Sequence, residues 1–453
     1  MNIDALLRLL ASDGPSPTAR VLDRQGVSRA TLMRTVRAAG GRVVVRGRAR
    51  RTTYAAVRPL RGRSEPIPLF QIDTEGQAHE AGRIQMIEPR GCALDAPGFP
   101  WPMDEAMRDG WFEGLPYPIA DMRPQGYLGR AFARTHAPLL QVPEDPRYWS
   151  DDDVLHVLSV IGADLPGNLI VGEASYRQWQ ASQQRDMIDP AMHDVERTWP
   201  VLAQQSMLGQ MVGSSAGGEF PKFTTVRMID SRPVPVLVKF SGSDDSPGSR
   251  RWSDLLVCEH LAAQVIARHL EIPTATTRIH RAGDRTFLEV ERFDRHGLHG
   301  RSALCSWASL NDALFGLAGR PWLEAARRLR ERGWIDAATD DAIGRLWCFG
   351  LLIGNTDMHD GNLSFTPVEG GLALAPIYDM LPMMHAPQRG IELPERNFEP
   401  VLPMPSEQGR WRSAARAAVA FWRAAEGDER ISPDFREVCR ATATTIARIL
   451  DQH

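Results

Sequence analysis

LLIGNTDMHDGNLSF, residues 351–365, decides how the rest of the chain is read. A strongly apolar, helix-like run, CFGLLIG, leads to Asn355. Asp357 and Asn362 follow, with four residues between them. The spacing D-x-x-x-x-N is that of a phosphoryl-transfer loop. There a carboxylate orients an acceptor hydroxyl and takes its proton, and an amide five places later holds Mg2+. Seventeen residues beyond Asn362, Asp379 closes the β-prone run LALAPIYDM, where a second metal-binding acid belongs. The usual H-R-D and D-F-G triplets are absent; Thr356-Asp357 and Tyr378-Asp379-Met380 stand in their places. A competing reading makes Asp357, His359 and Asp360 the metal ligands of a nuclease or phosphatase, since both residue types are competent donors.

Upstream, one count directs attention. Of 53 basic residues only two are lysines, Lys222 and Lys239. Arginine is a planar fork and lysine a compact point charge, so the lysines that remain mark places where arginine does not serve. Lys222 ends MVGSSAGGEFPK, in which Gly213, Gly217 and Gly218 surround Ser214, Ser215 and Ala216. Such a loop brings backbone N–H groups close to an anion. It is not G-x-x-x-x-G-K-[ST]. Lys239 ends the β-prone run PVPVLVK, and a strand lysine just after a glycine-rich loop is placed to meet ATP phosphates. The stretch SDLLVCEHLAAQVIARHL reads as a helix supplying an acid to that lysine; Glu259 and Asp254 both qualify. TFLEVERFDR reads as an inner strand leading to a hinge, with Glu291 and Phe293 where adenine would be met. Beyond Arg301 the apolar spacing is helical throughout.

The chain has 453 residues, 43% hydrophobic and 24% charged, with net charge −3. These values exclude wholesale disorder and collagen-like repeats. Five cysteines, none in a C-x-x-C pair, argue against a disulfide framework and suit a cytoplasmic protein. No signal peptide or membrane span is expected. The charge is uneven: residues 1–63 hold 14 arginines against three acids, a net +11, which leaves −14 for the rest. A basic module on an acidic body points to nucleic acid. Ile3, Leu6, Leu7 and Leu10 mark a first helix and residues 16–24 a short second. Ser28 caps a third that Gly40 and Gly41 stop, with Leu32, Met33 and Val36 on its apolar face. RVVVRGRARRTTYAAV reads as a basic-tipped hairpin. This is the order of a winged helix-turn-helix. Arg34 and Thr35 would then face base edges, Arg46, Arg48, Arg50 and Arg51 the phosphates of double-stranded DNA, and Arg29 would also lie on the DNA side. A small basic domain that binds protein is the alternative.

Taken in order, GSSAGGEFPK (213–222), VLVKF (236–240), VERFDR (290–295), IGNTDMHDGN (353–362) and APIYDM (375–380) resemble the HipA family of serine/threonine kinases, the toxins of some bacterial toxin–antitoxin pairs. The resemblance covers about residues 150–450. The fused basic module makes the chain most similar to the YjjJ-like subgroup. The chain is thus expected to be α+β: the charge and capping pattern gives a winged helix-turn-helix at 1–62, the Pro- and Gly-rich stretch with short β-prone pieces an accessory mixed-β subdomain at 63–145, and the resemblance a kinase N-lobe core at 146–300 and a helical C-lobe at 301–453. The resemblance implies ATP and Mg2+ as cofactors. Asp357 would be catalytic, with Lys239 on the α/β-phosphates and Asn362 and Asp379 on Mg2+. Ser214 to Gly218, Lys222 and His359 would lie around the nucleotide, and Ser214 or Ser215 would be the site of autophosphorylation. It also implies a protein substrate such as an aminoacyl-tRNA synthetase, autoregulation through DNA, and a homodimer on paired half-sites. The same resemblance leaves open whether a separate antitoxin exists. The rival function is a transcription regulator with a non-catalytic kinase-like body.

Overall fold

The computed structural model describes residues 1–183, 194–208, 220–388, 393, 396 and 398–452. At the N-terminus three helices, Ile3–Asp13, Thr18–Gln25 and Arg29–Ala39, precede a hairpin of Val43–Arg46 and Thr53–Ala56. The short strand Ser16–Pro17 pairs with Thr53–Ala56 and completes a three-stranded antiparallel sheet. Ser28 caps the third helix by accepting from the Thr31 N–H at 3.3 Å, and Gly40, at φ +57°, ends it. Leu6, Leu10, Val21, Leu32, Val43 and Tyr54 form a small core of their own.

A five-stranded antiparallel sheet follows, in the order Trp111–Phe112, Cys92–Asp95, Ala78–Met86, Ile67–Ile72, Leu169–Val171. Its last strand lies well past residue 145. The helix Asp151–Ile161 packs Val154, Leu155, Val157 and Leu158 into the same core. The expected boundary at 145 is therefore corrected: the middle unit continues through Leu169–Val171 because its edge strand is supplied from there. The helix Gly126–Leu140 departs from the expected mixed-β character of this subdomain; Gly126, Gly129 and Pro138 obscure its pattern. The N-terminal hairpin is seated on this unit. Val44 and Ala55 share a buried cluster with Ile87 and Ala93, and Val57 bridges to Ile87.

The next sheet has the order Thr277–Ala282, Arg285–Glu291, Arg232–Phe240, Lys222–Ile229, all antiparallel. One face is covered by the helix Val195–Met207, whose Trp199 packs on Phe223 and Phe287. The helix Pro247–Val265, started by Ser246, covers the other. Beyond lie, among the described residues, five helices, Trp307–Leu314, Trp322–Glu331, Ala337–Leu352, Gln408–Gly427 and Pro433–Gln452. Trp307, Trp322, Phe349, Phe421 and Trp422 are fully buried among them. The architecture is thus α+β, a mixed lobe above a helical one, with the hairpin Ser364–Val368 and Gly371–Leu374 at their junction.

Candidate active site

Strand alternation sets the first side chain. Val236 and Val238 pack toward Trp199, so the period of two turns Leu237 and Lys239 to the opposite face, into a cavity between the lobes. Lys239 is 6% exposed. Its Nζ donates to both carboxylate oxygens of Glu259, at 2.7 and 2.8 Å, and to Oδ1 of Asp379. Of the two acids left open by the sequence, Glu259 is the partner. Asp254 instead accepts from the N–H and hydroxyl of Ser432, at 2.7 and 2.6 Å, tying its helix to the start of the C-terminal one.

The D-x-x-x-x-N loop is held from within. After the helix Ala337–Leu352, Gly354 turns the chain at φ +70°. Buried Asn355 accepts from the Asp357 N–H at 3.0 Å and donates to the Asp379 carbonyl at 3.4 Å. Asn362 donates its amide to the Asp357 carbonyl at 2.8 Å, which closes the five-residue span and leaves its amide oxygen as an acceptor. The Tyr378 hydroxyl donates to the Gly361 carbonyl at 2.9 Å, and its ring stacks on Phe293, 5.9 Å between centroids. Loop and hinge are thereby linked by one tyrosine.

Charge in this cluster is mutually stabilised. Burial opposes the Lys239 ammonium, but Asp379 and Glu259 outweigh it and hold the amine above its ordinary range. Burial pushes Glu259 up, against the pull of Lys239. Asp379 is held below the usual carboxylate range because Lys239 and Lys222 overcome its burial. Asp379 also sits at φ +60°, a conformation that L-residues rarely adopt, which fixes its carboxylate toward the lysine.

Glu291, Phe293, His359 and Asn362 line one chamber of about 220 Å3 together with Lys222, Lys239 and Asp379. Glu291 also accepts from Arg278 at 2.7 Å. His359 accepts the Gly361 N–H on Nδ1 at 3.0 Å, and Asp360 accepts from Asn311 at 2.8 Å. Asp357, His359 and Asp360 therefore do not converge, and no cluster of three or more His, Cys, Asp or Glu suited to a metal occurs among the described residues. The glycine-rich positions Ser214, Ser215, Ala216, Gly217 and Gly218 lie outside the described residues. The oxygen donors of Asn362 and Asp379, which share this chamber, are of the hard kind that suits Mg2+.

Sequence reasoning missed Asp121. It comes from the middle unit yet lines the same chamber. Its carboxylate accepts from the Ser306 N–H at 2.8 Å, from the Ser306 hydroxyl and from the Ser309 hydroxyl at 3.0 Å, bracing Ser306, the N-cap of the helix Trp307–Leu314. No local spacing announces a contact across 185 residues.

In the N-terminal module several side chains lie on other faces than the sequence suggests. Arg29 and Arg34 are exposed on the third helix. Thr35 is not a surface residue: it is buried and donates to the Thr31 carbonyl at 3.0 Å. Met33, expected inside, is 39% exposed, and Arg37 shares the open side. The apolar face runs through Leu32, Thr35 and Ala39, so its phase differs from the expected one. Arg48 and Arg50 are exposed at the hairpin tip, but Arg46 and Arg51 turn back to the body. They pair with Asp95 at 3.1 Å and Asp109 at 2.9 Å.

Two lobes closing on a lysine, two acids and a D-x-x-x-x-N loop define a HipA- and kinase-like body. Residues 63–180 match the family described as YjjJ-like toxin, middle domain, and residues 214–449 match the HipA-like C-terminal domain. The chain is 37% identical over 444 residues to Toxin YjjJ of Escherichia coli strain K12, covering 97% of both. This chain belongs to the YjjJ-like toxins of the HipA family. Among solved structures it is similar to the HipA of Shewanella oneidensis MR-1, determined with HipB and operator DNA. The TM-score is 0.54 at 14% identity, over 85% of this chain and 97% of that one. No helix among the described residues is long and apolar enough to cross a membrane.

Proposed function

We propose that this toxin is an ATP-dependent serine/threonine protein kinase with a DNA-binding winged helix-turn-helix in the same chain. The observation that carries the reading is the grip of Glu259 and Asp379 on Lys239. A buried ammonium held by two carboxylates has little structural justification, since apolar residues of similar volume would serve stability as well. It has a clear functional one, because phosphates arriving beside Asp379 meet a charge already in place. The adenine end of ATP would lie against Glu291 and Phe293 and its phosphates at Lys239 and Lys222.

In the reaction, the acceptor hydroxyl oxygen bonds to the γ-phosphorus as the bond to the β–γ bridging oxygen breaks. The electron pair leaves with ADP, and the hydroxyl proton passes to the Asp357 carboxylate. Asn355 and Asn362 fix the backbone of Asp357, so that its carboxylate stays aimed. Asn362 and Asp379 would hold Mg2+, which when bound neutralises phosphate charge. Ser214 or Ser215 is the proposed autophosphorylation site, and an aminoacyl-tRNA synthetase the proposed class of protein target.

For the N-terminal module, the support is the exposed set Arg29, Arg34, Arg37, Arg48 and Arg50 on a three-helix and hairpin frame. The Shewanella HipA was determined with operator DNA and a separate HipB. Here the DNA contact would be built into the toxin itself.

The test is to incubate the purified chain with Mg-ATP and map phosphate by mass spectrometry, beside Asp357→Asn. Phosphate on serine in the wild type alone is expected. No phosphate and no ATP affinity in the wild type would overturn the kinase reading in favour of a regulator with an inert body.

A further inference from the structure

Lys222, Lys239, Glu259 and Asp379 line two chambers, not one. The first holds the hinge residues Glu291 and Phe293 and the loop residue Asn362. The second, of about 250 Å3, holds Asp357, which does not line the first. Its remaining walls are apolar, from Phe220, Trp252, Leu256, Leu381 and Met383. The rings of Phe220 and Trp252 stand 4.7 Å apart, and Trp252 and Met383 are each only half-buried.

In-line transfer places the attacking and leaving oxygens on opposite sides of phosphorus. With the nucleotide running from the hinge to Lys239 in the first chamber, the acceptor oxygen reaches Asp357 through the second. We infer that this second chamber is the acceptor site, and that it selects a polypeptide whose serine or threonine is flanked by a large apolar side chain. Such a side chain would complete the half-open surface of Trp252 and Met383 and lose water in doing so. A charged neighbour would lose hydration against these apolar walls, and Lys239, Glu259 and Asp379 at the chamber's edge are already committed to one another. The inference rests on the kinase reading above and adds its substrate preference.

The experiment uses the full chain, Mg-ATP and a degenerate peptide library with one fixed serine, scanning each flanking position. Wild-type enzyme is expected to favour Leu, Met or Phe over Asp or Lys at a flanking position by about tenfold, the scale of one apolar contact in a specificity pocket. Met383→Glu is expected to shift that position toward Lys and Arg while ATP affinity stays unchanged; a merely destabilised protein would lose activity without redirecting it. Trp252→Ala should raise the peptide KM more than it lowers kcat. Flat preferences, preferences unmoved by Met383→Glu, or ATP binding with no peptide labelled would each overturn the acceptor site and leave the kinase reading standing. Absence of ATP binding in the wild type would instead overturn both.

Discussion

Lys222 and Lys239, the only lysines in the chain, are direct cross-strand partners. Residues opposite one another in an antiparallel pair project to the same face. Both amines therefore enter the same cavity, above the same pair of carboxylates. The hairpin that sets this register turns at Asp230 and Ser231, at φ +49° and +61°. Two central residues with positive φ are the mark of a tight two-residue turn matched to strand twist. A chain that otherwise uses arginine for positive charge thus places its two point charges side by side where phosphates are proposed to bind.

Lys239→Arg follows from this geometry. The guanidinium is larger and planar, and the site grips one ammonium from two directions, through Glu259 and Asp379. Transfer should fall by about 100-fold or more, while the melting temperature stays within a few degrees of wild type. Phosphate incorporation from labelled ATP, read beside thermal melting, checks this. Near-normal transfer would show that the position needs only charge.

The two acids on the lysine-facing helix should separate function from stability. Glu259→Gln removes the charge that holds Lys239 and should reduce transfer sharply with the fold retained. Asp254→Asn should leave transfer near normal. It loses charge-assisted bonds to Ser432 and should lower stability by about 1–3 kcal/mol. Denaturant unfolding and phosphorylation rates on both variants decide it.

The D-x-x-x-x-N loop was legible because its geometry is local: a span of five positions closed by Asn362 on Asp357. The three N-terminal helices with their hairpin, and the helical C-terminal part, were legible for the same reason, through period and caps. What stayed hidden depends on phase or on distant contacts. Asp254 and Glu259 lie on a helix buried on nearly every side, so no polar face marks which one meets the sheet. Thr35 and Met33 exchanged roles because the buried stripe includes a threonine whose hydroxyl is satisfied inside the helix. Asp121 reaches the cavity from a unit with no chemical spacing of its own. The boundary at 145 failed because a sheet edge is completed by residues 169–171.

On DNA the hairpin arginines should divide into two classes. Arg48 and Arg50 are exposed, so Arg48→Ala or Arg50→Ala should weaken duplex binding for any sequence and reduce the salt slope by about one each. Arg46 and Arg51 are engaged by Asp95 and Asp109. Their alanine variants should leave the slope unchanged. Binding isotherms at four or five salt concentrations distinguish the two; a reduced slope for Arg46→Ala would mean the hairpin leaves the body when it meets DNA.

His385 gives the fold a pH dependence. It is 4% exposed, with its ring edge-to-face on Trp422 and Phe435. Burial, reinforced by the charges of Arg251 and Arg396, lowers its pKa from 6.5 to about 4. The folded chain therefore keeps this ring neutral at a pH where the unfolded chain protonates it. Since the folded pKa is the lower one, the stabilisation is complete above 6.5 and is lost as pH falls toward 4. The full difference is on the order of 3 kcal/mol. His385→Phe keeps an aromatic ring in the same contacts and removes the titration. Unfolding free energies of both proteins, measured between pH 7 and 4.5, should fall less steeply for His385→Phe; parallel curves would show that the acid sensitivity lies elsewhere.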